Sequence, residues 1–83
     1  MSPAEIKSTR ERLGLTQESM AEAFGIAKLT MSQYETGFRQ PGPTALILLM
    51  VVDSLSNKKA LELIELFRKA AKRFGPERKG SKT

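Results

Sequence analysis

The chain has 83 residues, carries 14 Lys+Arg against 9 Asp+Glu for a formal charge of +5, and contains no Cys, His or Trp. At this length folding buries roughly 63% of the surface that the unfolded chain exposes, enough for one small core and one domain. Missing Cys and His exclude a disulfide framework and a zinc site of the usual ligands, and missing His removes the side chain best matched to acid–base work near neutrality, so no metal, cofactor or enzymatic activity is expected.

The opening segment MSPAEIKSTRE has no apolar stretch and does not read as a signal peptide. It reads as a helix start: Ser2 caps, Pro3 takes the first helical position, where no amide donor is missed, and Glu5 closes a capping box. Ile6 and Leu13 share one face at i, i+7, and Gly14 supplies a left-handed stop. Thr16 caps a second helix, TQESMAEAF, with Met20, Ala21 and Phe24 on its inner stripe and Gly25 at its end. Only Gly25, Ile26 and Ala27 precede the next periodic stretch, KLTMSQYE, where Met31 and Tyr34 point inward and Gly37 terminates. Two short helices joined through a Gly-containing turn form a helix-turn-helix.

FRQPGP follows as a loop, and Pro43 or Thr44 then begins the apolar stretch TALILLMVVDSL. Periodicity does not separate this stretch from a buried strand; its length favours a helix. The run Ala45 to Val52 is too short to span a bilayer, and the expected location is the cytoplasm. Asn57 is placed to cap a last helix, KKALELIELFRKAAKRF, with Leu61, Ile64, Phe67, Ala71 and Phe74 at i, i+3 and i+4 and a stop at Gly75 and Pro76. Glu62 and Glu65 on this helix read as a solvated face rather than a catalytic pair. The residues from Pro76 to Thr83 read as a disordered basic tail. The expectation is an all-α fold of five helices: a helix-turn-helix domain over 1–56, a C-terminal helix over 57–75 and the tail over 76–83.

RERLGLTQESMAEAFGI, the following AKLTMSQYETG, and a Pro-containing loop leading into an apolar helix together resemble the Cro/CI-type (XRE-like) helix-turn-helix family. The loop RQPGPTAL is most similar to the antitoxin subgroup of MqsA- and HigA-like proteins. The resemblance runs from Ile6 to Leu55 and implies a lambda-repressor-like bundle with an extended C-terminal helix that binds double-stranded DNA. It assigns Gln17 to a position that holds a phosphate and braces the recognition helix. Lys28, Leu29, Ser32 and Gln33 fall on recognition positions. Chemically, Lys28 suits guanine O6 and N7, Gln33 an adenine edge, and Leu29 a thymine methyl. Thr16 and Thr30 suit phosphate oxygens, and Arg39 suits the backbone beyond the recognition helix. Arg10 and Glu35 match positions that pair the first helix with the recognition helix. Ala27 departs from the pattern, standing where the family carries a Ser or Thr cap.

A helix as apolar as Ala45 to Val52 should be buried on several sides, and the wide stripe on the last helix exceeds what one small core needs. A homodimer through Leu61, Ile64, Phe67, Ala71 and Phe74 is therefore expected, with recognition helices about 34 Å apart over a palindromic site. The leading reading is a dimeric repressor. An antitoxin that meets a cognate toxin through its last helix and tail is the second, and an interaction module without DNA binding is the third. With no room for an effector domain, control by abundance, proteolysis or a protein partner is favoured over control by a small ligand. The charge is unevenly placed: five basic residues face six acidic ones up to Ser56, and nine face three from Asn57 onward.

Overall fold

A computed structural model describes residues 1–74, with the side chain of Phe74 not described; the predicted tail lies outside the described residues. Five α-helices follow in order: α1 Pro3–Arg12, α2 Gln17–Phe24, α3 Lys28–Thr36, α4 Pro43–Ser54 and α5 Asn57–Phe74. No described residue is in a strand. No described helix is long and apolar enough to cross a membrane.

Local chemistry sets most of the boundaries. The Glu5 amide donates to Ser2 Oγ at 3.1 Å while the Ser2 amide donates to Glu5 Oε1 at 2.7 Å, the two halves of the capping box. Thr16 caps α2 by accepting from the Ser19 amide at 3.0 Å. Gly25 ends α2 at φ +70°, a left-handed conformation that costs a side-chain-bearing residue strain, and this permits the three-residue turn into α3. Ala27 takes the cap position of α3 and offers no side-chain acceptor. The last helix departs from expectation at its start. Ser56, not Asn57, is the cap, its Oγ accepting from the Lys59 amide at 3.3 Å. Asn57 is instead helical, and its side-chain oxygen accepts from Arg12 of α1.

The interior comprises two apolar clusters. Ile6, Met20, Ala21, Met31, Tyr34 and Leu49 form the first; Leu13, Ala23, Val52, Ala60 and Ile64 form the second. Leu15 and Phe24 pack against both and join them. The buried Thr9 hydroxyl lies 2.8 Å from Asp53 Oδ1 and ties α1 to α4.

This packing corrects one expectation. The stripe assigned to a partner copy is largely occupied within the chain: Ile64 is 2% exposed, and Phe67 packs edge-on against Phe24 with ring centroids 6.0 Å apart. Leu61, at 39%, remains exposed on that helix. The reason is geometric, because Ala60, Ile64 and Phe67 fall on the face that closes over α2. Within a single copy α4 is fully covered on one side only. Leu49 and Val52 face inward, while Ile47, Met50 and Val51 lie exposed.

The bare cap of α3 yields a direct expectation. Ala27 is exposed with extended backbone, so Ala27→Ser fits without strain and should stabilise the fold by about 1 kcal/mol in urea unfolding at constant m-value.

Candidate nucleic-acid interface

Placing a nine-residue helix that lacks a side-chain cap requires tertiary contacts. They centre on Glu35, whose side chain is only 2% exposed. Arg10 of α1 presents its guanidinium as a fork: Nε donates to Glu35 Oε2 at 2.6 Å and one terminal nitrogen to Oε1 at 3.0 Å. The other terminal nitrogen donates to the Leu15 carbonyl at 2.8 Å, in the connection between α1 and α2. Gln17, the first residue of α2, donates from Nε2 to Glu35 Oε1 at 3.1 Å. One buried carboxylate thus joins α1, the connection, α2 and α3.

Burial alone would push the Glu35 carboxyl upward, since it disfavours the charged form. Hydrogen bonds from Arg10 and Gln17, with the charges of Arg10 and Lys7, outweigh it and hold the group below its ordinary value. The hydrogen bond to Glu35 in turn raises the Arg10 guanidinium above its ordinary range.

With Met31, Tyr34 and Glu35 turned inward, α3 presents the opposite face to solvent. Lys28 and Leu29 are exposed and Ser32 and Gln33 half-buried, on adjoining turns. Thr30 sits half-buried on the flank. Beyond the helix the Arg39 amide donates to the Gln33 carbonyl at 3.2 Å, folding the loop back on the last turn, while the Arg39 side chain stays exposed. Thr16 is exposed at the start of α2, where its hydroxyl meets Ser19 Oγ at 3.1 Å.

The helix-turn-helix family model matches residues 6–52. The chain belongs to the XRE-type helix-turn-helix family. This is a family of DNA-binding regulators, and the matched span holds the whole Arg10–Glu35–Gln17 network and the exposed face of α3. Antitoxin MqsA of Escherichia coli (strain K12) is 40% identical over 53 residues, which are 64% of this chain and 40% of that protein. The chain therefore spans about two fifths of the length of that relative. No solved structure matches it significantly.

Two features of this helix-turn-helix surface escape sequence reasoning. Thr36 shares the exposed face, four residues beyond Ser32, a spacing that the pattern already contained. Phe38, 80% exposed beside Gly37, gave no signal, because one aromatic in a loop has no periodicity to betray its direction.

The network predicts an acid sensitivity of definite sign. Because Glu35 titrates lower in the folded chain than in the unfolded one, its contribution is fully present above the ordinary carboxylate value of 4.5 and lost as pH falls through the lower folded value. Glu35→Gln should cost about 2–4 kcal/mol near neutrality. The gap between variant and parent in urea unfolding should narrow with acid; a constant gap would show that the carboxylate charge does not matter.

Proposed function

We propose that the chain is a transcriptional repressor that binds a palindromic operator as a cytoplasmic homodimer, inserting α3 into the major groove of double-stranded DNA. The observation that carries this reading is the buried Arg10–Glu35–Gln17 network, which fixes α3 with one face free. The groove is about 12 Å wide and accepts one helix. Lys28, Leu29, Ser32 and Gln33 meet base edges there. Thr16, Gln17, Thr30 and Arg39 serve the phosphates, positioning the helix without reading sequence.

Support for a second copy comes from α4. Ile47, Met50 and Val51 lie exposed on its outer side, opposite the buried Leu49 and Val52. The only charged residue of α4 is Asp53, which is engaged by Thr9 and, at 3.6 Å, by Arg12. An uncharged apolar face pairs with its own image at no electrostatic cost, as two-fold symmetry requires.

A second reading is favoured by the 40% identity to Antitoxin MqsA: the chain is an antitoxin that also represses its own operon, with a cognate toxin held by α5 and the residues beyond it. Co-expression with the neighbouring gene product tests this, since an antitoxin forms a stable complex and relieves growth arrest.

A gel shift on the DNA upstream of its own gene tests the operator reading. A specific shift is expected, and no specific shift at low salt would leave only an interaction module. Gln33→Ala should cost about 1–3 kcal/mol and relax the preference at one base pair, while Arg39→Ala should weaken specific and random DNA alike and lower the salt slope by about one. Met50→Glu should yield a monomer by sedimentation while keeping the helical spectrum.

A further inference from the structure

Beside the end of α3 the fold leaves a cavity that shares one residue, Arg39, with the proposed DNA contacts. Its volume is about 200 Å³, and it lies where the start of α1, the end of α3, the following loop and α4 converge. Met1, Pro3, Ile6, Pro41 and Leu46 supply apolar wall, and Tyr34, Arg39 and Gln40 are the lining residues with polar side chains. Neither an Asp nor a Glu lines it.

Tyr34 distinguishes this cavity from a simple surface dimple. The residue is 93% buried by its 7% exposure, yet its hydroxyl makes no hydrogen bond among the described residues. Buried hydroxyls are normally paired, and leaving one unpaired is costly. Arg39 stands at the same opening, exposed and in no ion pair among the described residues. A residue with a neutral donor and one with a cation thus both line a partly apolar space, a combination that suits an anion with an apolar body.

We propose that this cavity binds a small organic acid, its carboxylate accepting from the Tyr34 hydroxyl and the Arg39 guanidinium and its hydrocarbon part seated against Pro3, Pro41 and Leu46. The size fits, since apolar cavities of about 150 Å³ accept benzene. A larger ligand does not fit, because drug-sized sites begin near 300 Å³. Bare phosphate matches the cation but leaves the apolar wall unfilled. A site built within the bundle needs no separate effector domain, which revises the expectation from sequence that small-ligand control is disfavoured. Occupancy engages Arg39, so the acid competes with the DNA backbone for the same guanidinium; that consequence rests on the operator reading, whereas the binding itself does not.

Benzoate is a suitable probe, with benzylamine and inorganic phosphate as controls, in calorimetric and amide-shift titrations of the full chain. Benzoate should bind with a Kd of about 1 mM, as expected for so few heavy atoms, and should shift the amides of Gly37, Arg39 and Gln40. Arg39→Ala should weaken it about tenfold and Tyr34→Phe about threefold to tenfold, the latter keeping the ring and the fold. Saturating benzoate should also weaken the operator complex of the parent chain. Absence of saturable binding up to about 20 mM overturns the proposal. So do equal binding of benzylamine, binding of phosphate as tight as benzoate, or benzoate affinity unchanged in both variants. A chain that fails to bind DNA would still give the calorimetric result, so the two readings fail separately.

Discussion

A carboxylate placed in the interior of a protein is tolerated only when its charge is matched and its lone pairs are occupied, and Glu35 imposes that condition on the whole helix-turn-helix. Its partners come from three different segments: Arg10 on α1, Gln17 at the start of α2, and, through the same guanidinium, the Leu15 carbonyl between them. None of these elements is free to rotate without stranding a buried charge. Hydrophobic contacts around Met20 and Met31 hold α3 against α2, but such contacts are non-directional and tolerate sliding. Fork-to-carboxylate geometry does not, because both hydrogen bonds fix direction as well as distance. The network therefore fixes the angle at which α3 presents its exposed face.

The second constraint is the division of the apolar interior into two clusters. The first belongs to the helix-turn-helix itself, with Tyr34 and Leu49 closing it; the second exists because α5 covers Leu13, Ala23 and Val52. Leu15 and Phe24 belong to both surroundings, so loosening α5 disturbs the wall on which α3 rests. The last helix is thus part of the scaffold that positions the site, not an appendage to it. Apolar surface left over on the last two helices lies at Ile47, Met50 and Val51 of α4 and at Leu61 and Leu66 of α5.

What could be read from the chain follows from how local each signal is. Ser2, Pro3, Glu5, Thr16 and Gly25 act through hydrogen bonds and φ angles within a few residues, and the boundaries they specify stand as expected. The inward set of the short helices was legible because their stripes are narrow. The Arg10–Glu35 pair was accessible through family resemblance, since no local rule links residues on different helices. The destination of a broad stripe was not legible. Ile64 and Phe67 have the spacing of an interface, but spacing records a face and not what covers it, and α2 covers this one. That the Tyr34 hydroxyl finds no partner among the described residues was hidden for the same reason, since its surroundings are set by tertiary packing.

Charge explains how such a motif divides affinity from specificity. Of the basic residues up to Ser56, Arg10 is held by Glu35 and Arg12 by Asp53 and Asn57, which leaves Lys7 on α1 and Lys28 and Arg39 near the ends of α3. Each phosphate neutralised contributes a salt slope of about −0.9, so one copy with so few free cations gains little sequence-independent affinity. On α5, Arg68 is paired with Glu22 at 3.1 Å, while Lys69, Lys72 and Arg73 extend past it towards the C-terminus. A sparse basic surface on the motif also limits trapping on random DNA, because the electrostatic part of binding is the part that all sequences share.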